Sequence, residues 1–289
     1  MVNFRNRDGV LLNVRNKAGD LLNLHTLGED PDAPLSMVDP STPSGVQPAG
    51  TSGLGLSLTL SEEFNSAMHV TDAELGKVTF RPSGYEWNTW YPNWSRFTDQ
   101  VPGGNHTNTN QEAYYDTSKV TVSSGALRLL CHEQETEPGL PYTAGMITSK
   151  DMLEQQYGWF EARIRMVGGR NNRHWPAAWM ATSVFNQWPP EVDFYEVFGL
   201  ANEYLTNVYR VGSSDIHPNS FSDFTNWHVF GVHWSADEVT FYRDGVETYT
   251  STPSVTGPQY LIFNNGAETG ATGSMPAVEI DYIRSWSES

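Results

Sequence analysis

Short runs of apolar residues broken by turn residues, with no sustained helical period, constrain this chain most. Lys119–Val122, Gly158–Met166, Trp227–Trp234, Val239–Arg243 and Val278–Arg284 set apolar against polar or mixed positions. That is the pattern of strands with one buried face. Ala236-Asp237-Glu238 and Arg243-Asp244-Gly245 lie between or after such runs as hairpin turns, Asp-Gly being a favoured pair there. The expectation is an all-β fold in which two antiparallel sheets pack as a sandwich, with function on a concave face or in the end loops. Aromatic residues at 12%, with 25 Gly and 17 Pro, suit such a turn-rich architecture.

The rest of the chain is organised differently. Arg5–Val14 and Arg15–Leu24 form a ten-residue repeat, each unit a polar Gly-containing turn followed by an apolar run. Two units cannot bury a core alone. Residues 1–27 are therefore expected to be an N-terminal arm, either packed on its own domain or docked on an assembly partner. Residues 28–55, rich in Pro, Ser, Gly and Asp, are expected to be a linker, and 56–289 the functional domain.

Composition excludes several classes. With 17 Lys+Arg against 34 Asp+Glu, the chain has few cations for a nucleic-acid face. No apolar run approaches the length of a membrane helix, and charges interrupt residues 1–25, so neither membrane insertion nor a secretory signal is expected from the sequence as it stands. The single cysteine, Cys131, leaves no intrachain disulfide and no Cys-based zinc site; inside Ala126–Cys131 it is expected to be a small buried hydrophobe.

The chemistry concentrates in Trp188–Gly199. Glu191, Asp193 and Glu196 sit in an aromatic, apolar strand, where carboxylates are costly to bury. Glu191 and Asp193, two apart, share a face. Glu196 lies at an odd offset and would face the other way unless a β-bulge between Asp193 and Glu196 re-aims it. With a bulge, the two glutamates are about four strand steps apart, roughly 13 Å at about 3.3 Å per step. Side chains leaning together could bring the carboxyls to about 5–5.5 Å, the spacing of a retaining glycosidase. Asp193 between them would keep one carboxyl partly neutral, because adjacent like charges raise a pKa.

Glu191-Val192-Asp193-Phe194-Tyr195-Glu196 resembles the E-x-D-x-x-E signature of glycoside hydrolase family 16, in its bulge-containing laminarinase, agarase and carrageenase branch. Tyr157–Ile164 is similar to the family's Y-G-x-F-E-A-R-I strand, and His174–Met180 to its W-P-A-x-W segment. Asn110–Tyr115 is similar to its N-x-E-x-x-Y element, and Asp281–Arg284 to its closing strand. The resemblance covers residues 56–289 and implies a jelly-roll sandwich with a concave substrate cleft. It implies Glu191 as nucleophile, Glu196 as acid/base and Asp193 as assisting carboxylate in a retaining endo-glycosidase. Trp175 and Trp179 would stack on sugars, Asn110 and Glu112 would bond hydroxyls, and Trp87, Trp90 and Trp94 are candidates for further subsites. Two departures stand out. Asn207-Val208-Tyr209-Arg210 replaces the His-Trp pair of many relatives, and Arg170–Arg173 is unusually basic, making Arg173 a candidate substrate-binding residue. His174 and His217 are expected at the surface, with a subsite role as the alternative.

No cofactor is expected. A structural calcium near the Asp281 strand is what the resemblance offers, although the carboxylates form no loop site. The expected substrate is a neutral β-linked polysaccharide, a β-1,3-glucan-like polymer first and a galactan next, since an acidic cleft repels sulfated or uronate chains. A non-catalytic carbohydrate-binding or structural tail protein on the same fold is the alternative. The arm and linker further suggest an extracellular or virion-associated setting, the domain mounted on a particle such as a phage tail.

Overall fold

A computed structural model describes residues 36–49, 51, 55–73, 76–81, 84–89, 111–137, 140–171, 173–182, 184, 187–199 and 201–288. The repeat arm at 1–27, and with it Asn110, Trp90 and Trp94, lies outside them. The strands are β1 (Leu56–Glu62), β2 (His69–Asp72), β3 (Lys77–Thr79), β4 (Trp87–Asn88), β5 (Ala113–Tyr115), β6 (Val120–Ser123), β7 (Ala126–Glu137), β8 (Leu140–Ala144), β9 (Met146–Thr148) and β10 (Gly158–Met166). They continue with β11 (Ala177–Thr182), β12 (Glu191–Glu196), β13 (Glu203–Arg210), β14 (Ser213–Ser220), β15 (His228–Trp234), β16 (Val239–Arg243), β17 (Val246–Ser251), β18 (Gln259–Asn264) and β19 (Met275–Glu288). Among the described residues the one helical element is a 3-10 turn at Thr117–Lys119, capped by the Asp116 carboxylate on the Ser118 N–H.

The strands form two sheets. One runs β17-β16-β15-β10-β19-β7-β8-β5, with β1 on β19 and β6 on β7; the other runs β14-β13-β12-β11-β18-β9-β4-β3-β2. Pairing is antiparallel except between β5 and β8. This is the expected two-sheet sandwich. The turn at Asp244 (φ 51°) and Gly245 (φ 77°) joins β16 to β17 as its Asp-Gly pair indicates.

Between the sheets, Phe160, Ala162 and Ile164 of β10 meet Met180 of β11 and Val192, Phe194 and Tyr195 of β12, all nearly solvent-free. Phe194 and Tyr195 are consecutive, yet both point inward: Phe194 meets Phe263 edge-on at 6.1 Å, and Tyr195 lies 4.4 Å from Phe230. Two successive inward aromatics require an extra residue in the strand. The pairing slips accordingly, Ala178 facing Tyr195 while Trp179 faces Asp193. The β12–β13 ladder slips at the same point, between Asp193 and Glu196.

Two expectations change here. Trp87 does not line a subsite: it is 1% exposed in β4 and packs on Phe80 at 6.3 Å. A two-residue strand gives no alternation from which its direction could be read. Residues 36–49, expected within the linker, pack on the domain instead. Asp39 N donates to Ser61 O, Arg81 Nη2 donates to Ser36 O at 2.7 Å, and Trp286 Nε1 donates to Val46 O at 3.2 Å. The buried Asp39 and the Val46 contact with Trp286 hold this polar stretch down.

Candidate active site

The bulge aims three carboxylates into one cleft. Glu191, Asp193 and Glu196 line a cavity of about 270 Å³ with Trp175, Trp179, Trp188, Tyr209, Asn264, Gln111, Tyr115, Met146 and Ala177. The floor beyond β11 is apolar, built from Tyr115, Tyr142, Met146, Trp179, Tyr260 and the fully buried Cys131.

Each carboxylate accepts a side-chain hydrogen bond. Trp188 Nε1 donates to Glu191 Oε2 at 2.8 Å, and Trp175 Nε1 donates to Glu196 Oε1 at 2.8 Å. One amide serves two acids: Asn207 Nδ2 donates to Asp193 Oδ2 at 2.8 Å and to Glu196 Oε2 at 2.7 Å. Asn207 is fully buried and sits opposite Asp193 in the β12–β13 register. Its Oδ1 has no partner.

Burial raises the proton affinity of all three acids. Asp193 is pushed well above the usual carboxylate range by burial and then by the charges of Glu191 and Glu196, against the opposing Asn207 bond. Burial also raises Glu191, opposed by the bonds from Trp188 and Asp193. Glu196 is raised by burial and opposed by Trp175 and Asn207. Glu191 is pushed up to about 8, and its hydrogen bond with Asp193 joins the two acids into one pair that titrates together. Tyr209, opposite Glu191 in register, is held protonated by burial and the three carboxylates. Its ring lies 5.5 Å from Trp188.

The structure gathers part of the expected set. Trp175 and Trp179 both line the cleft; Trp179 is 7% exposed, with its Nε1 on Asn264 Oδ1 at 2.8 Å. Glu112 is half-buried and tied through its backbone to Ala267 O, next to the cleft residue Gln111 but not in the lining. Arg173 is exposed outside the lining, with Nη1 3.6 Å from Glu268 Oε2. His174 is not at the surface: it is fully buried, bonded through Nε2 to Asn265 Oδ1, and burial lowers it to about 4. His217 stacks on Tyr249 of the opposite sheet at 4.0 Å and is absent from the cleft. Sequence reasoning missed Trp188 and Tyr209; the hairpin register that pairs Glu191 with Tyr209 was the available signal.

At the strand expected near a calcium, Asp281 Oδ2 is 2.7 Å from Arg163 Nη1. Among the described residues no group of three or more His, Cys, Asp or Glu is placed to hold a metal.

Residues 107–271 match the profile of the glycosyl hydrolases family 16. The chain belongs to glycoside hydrolase family 16. Within it, the chain is 31% identical over 162 residues to the endo-1,3-1,4-beta-glycanase ExsH of Rhizobium meliloti, covering 52% of this chain and 34% of that protein. It is 25% identical over 275 residues to glucan endo-1,3-beta-glucosidase A1 of Niallia circulans, covering 81% of this chain and 38% of that one. The chain thus spans little more than a third of these curated relatives. The endo-beta-1,3-glucanase structure from Pyrococcus furiosus superposes with a TM-score of 0.64 at 20% identity, covering 81% of this chain and 95% of that one, which shows a shared fold.

Proposed function

We propose that this chain is a retaining endo-β-glycanase that hydrolyses a neutral β-linked polysaccharide, a β-1,3-glucan first and a galactan second. The carrying observation is the bulge that turns Glu196 onto the face of Glu191 and Asp193, where Trp188, Trp175 and Asn207 donate to the three acids. In this reading Glu191 attacks the anomeric carbon while the glycosidic bond breaks and the Glu196 proton passes to the departing oxygen. Glu196 then takes a proton from water, whose oxygen displaces Glu191 from the sugar. In this reading Asp193 holds a proton and donates it in a hydrogen bond to Glu191, which favours the ionised nucleophile. The endo names of both curated relatives support an internal mode of cleavage, and the name of the Niallia circulans relative supports a glucan substrate. Trp175, Trp179, Trp188 and Tyr209 offer ring faces to pyranosides, and a cleft with three acids on a chain of net charge −17 disfavours uronate and sulfated polymers.

An extracellular site of action fits a polymeric substrate. A particle mount through residues 1–27 rests on the sequence repeat alone. The test is incubation with β-1,3-glucan, mixed-linkage β-glucan and neutral galactans, following new reducing ends, with Glu196→Gln alongside. Release by wild type alone supports the reading; binding without release by either protein turns it toward a carbohydrate-binding module.

A further inference from the structure

Behind Glu196 lies an acid with no role in the chemistry above. Glu268, in the loop after β18, is only 4% exposed. Its Oε1 accepts from Gly199 N at 2.6 Å, three residues past Glu196, where Gly199 turns the chain at φ 74°. Arg170 Nη2 clasps the same turn through Gly199 O at 2.5 Å. Phe198, between these anchors, packs its ring 4.8 Å from Trp175, the residue that donates to Glu196. Trp175 N in turn donates to Gly266 O, two residues before Glu268. One loop therefore supports both the end of β12 and the indole on Glu196.

This placement puts a largely buried carboxylate, ion-paired to Arg173, at the turn that follows the candidate acid/base. A general acid must hold its proton until the leaving oxygen takes it, yet both direct donors to Glu196, Trp175 and Asn207, favour its anion. Burial opposes them, and a nearby negative charge would add to it. We propose that Glu268 is a positioning residue that fixes the Gly199 turn and keeps Glu196 protonated for its acid role. This rests on the retaining reading above. The charge of Glu268 does raise Glu196, in addition to burial. The other titratable groups that share the cleft with Glu196 are Glu191 and Asp193 on its own strand, Tyr209 on β13 and Tyr115 on β5, while Arg170 and Arg173 in the loop after β10 face Glu268.

The test is Glu268→Gln, which keeps the acceptor for Gly199 N and removes the charge, with Glu268→Ala removing both. In carboxyl-13C NMR titrations, with the Glu196 signal assigned through Glu196→Gln, both variants are expected to move the Glu196 midpoint to lower pH. The basic limb of kcat/KM on the polysaccharide is expected to move the same way. Turnover of a dinitrophenyl glycoside, whose leaving group needs no proton, should be unchanged in Glu268→Gln. A Glu196 midpoint that stays at the wild-type pH overturns the proposal, and so does an equal loss on the dinitrophenyl substrate, which marks a structural role only. The NMR arm decides even if no polymer is cleaved, so failure here is distinguishable from failure of the hydrolase reading.

Discussion

Replacing Asn207 by Leu removes one amide nitrogen that serves two acids and keeps the branched shape and heavy-atom count of the side chain. Hydrogen bonds to charged groups contribute about 1.5–3 kcal/mol each. The bond to Asp193 is present in ground and transition state alike, because Asp193 keeps its proton. The bond to Glu196 strengthens as that residue becomes an anion during proton donation. Only the second bond stabilises the transition state differentially. Its loss corresponds to a fall in kcat/KM of roughly 10- to 150-fold at about 1.36 kcal/mol per decade. Losing a donor to the anion also raises Glu196, so the basic limb should move to higher pH. Thermal stability should change little: the stranded Asp193 oxygen costs about 1–3 kcal/mol, while deleting the unpartnered Asn207 Oδ1 recovers a comparable amount. The assay is initial-rate reducing-end release across pH on the best polymer, with melting temperatures alongside. A loss under twofold, or a tenfold loss with the basic limb in place, would refute the assignment of Asn207 to Glu196.

Further outcomes follow from the same geometry. Trp188→Phe removes the N–H that favours the Glu191 anion, so pH–rate profiles should show the acidic limb of kcat/KM moved to higher pH, the opposite limb from Asn207→Leu. Trp87→Ala should cost about 3–5 kcal/mol in urea unfolding, with KM unchanged for the remaining folded enzyme, because this indole packs in the core. His174 is lowered by burial from 6.5 to about 4, so the stability it contributes is complete above 6.5 and is lost as pH falls through 4. Melting curves between pH 7 and 4 should be flatter for His174→Gln than for wild type.

The odd spacing of Glu196 made the bulge legible in the sequence, because only an extra residue could bring all three acids to one side. What executes that bulge, the inward turn of both Phe194 and Tyr195, was written there as two adjacent aromatics. Strands with clear alternation, such as Gly158–Met166 and Val239–Arg243, match the structure at both ends. Residues whose roles arise across strands were not legible. Asn207 and Tyr209 act through the β12–β13 register, and Glu268 acts through the Gly199 turn. Trp87 and His174 misled because burial depends on partners outside their own segments, Phe80 after β3 and Asn265 after β18. The polar stretch at 36–49 looked like linker because its anchors, Ser61, Arg81 and Trp286, are equally remote.

The central claim is covalent attack by Glu191, and trapping tests it most directly. Wild-type protein would be incubated with an activated 2-deoxy-2-fluoro glycoside of the cleaved polymer's repeating unit, digested, and mapped by mass spectrometry. One glycosyl group on the peptide carrying Glu191, absent in Glu191→Gln, is the predicted result. Turnover of the natural polymer with the label on another residue, or with the product released in inverted configuration, would contradict it.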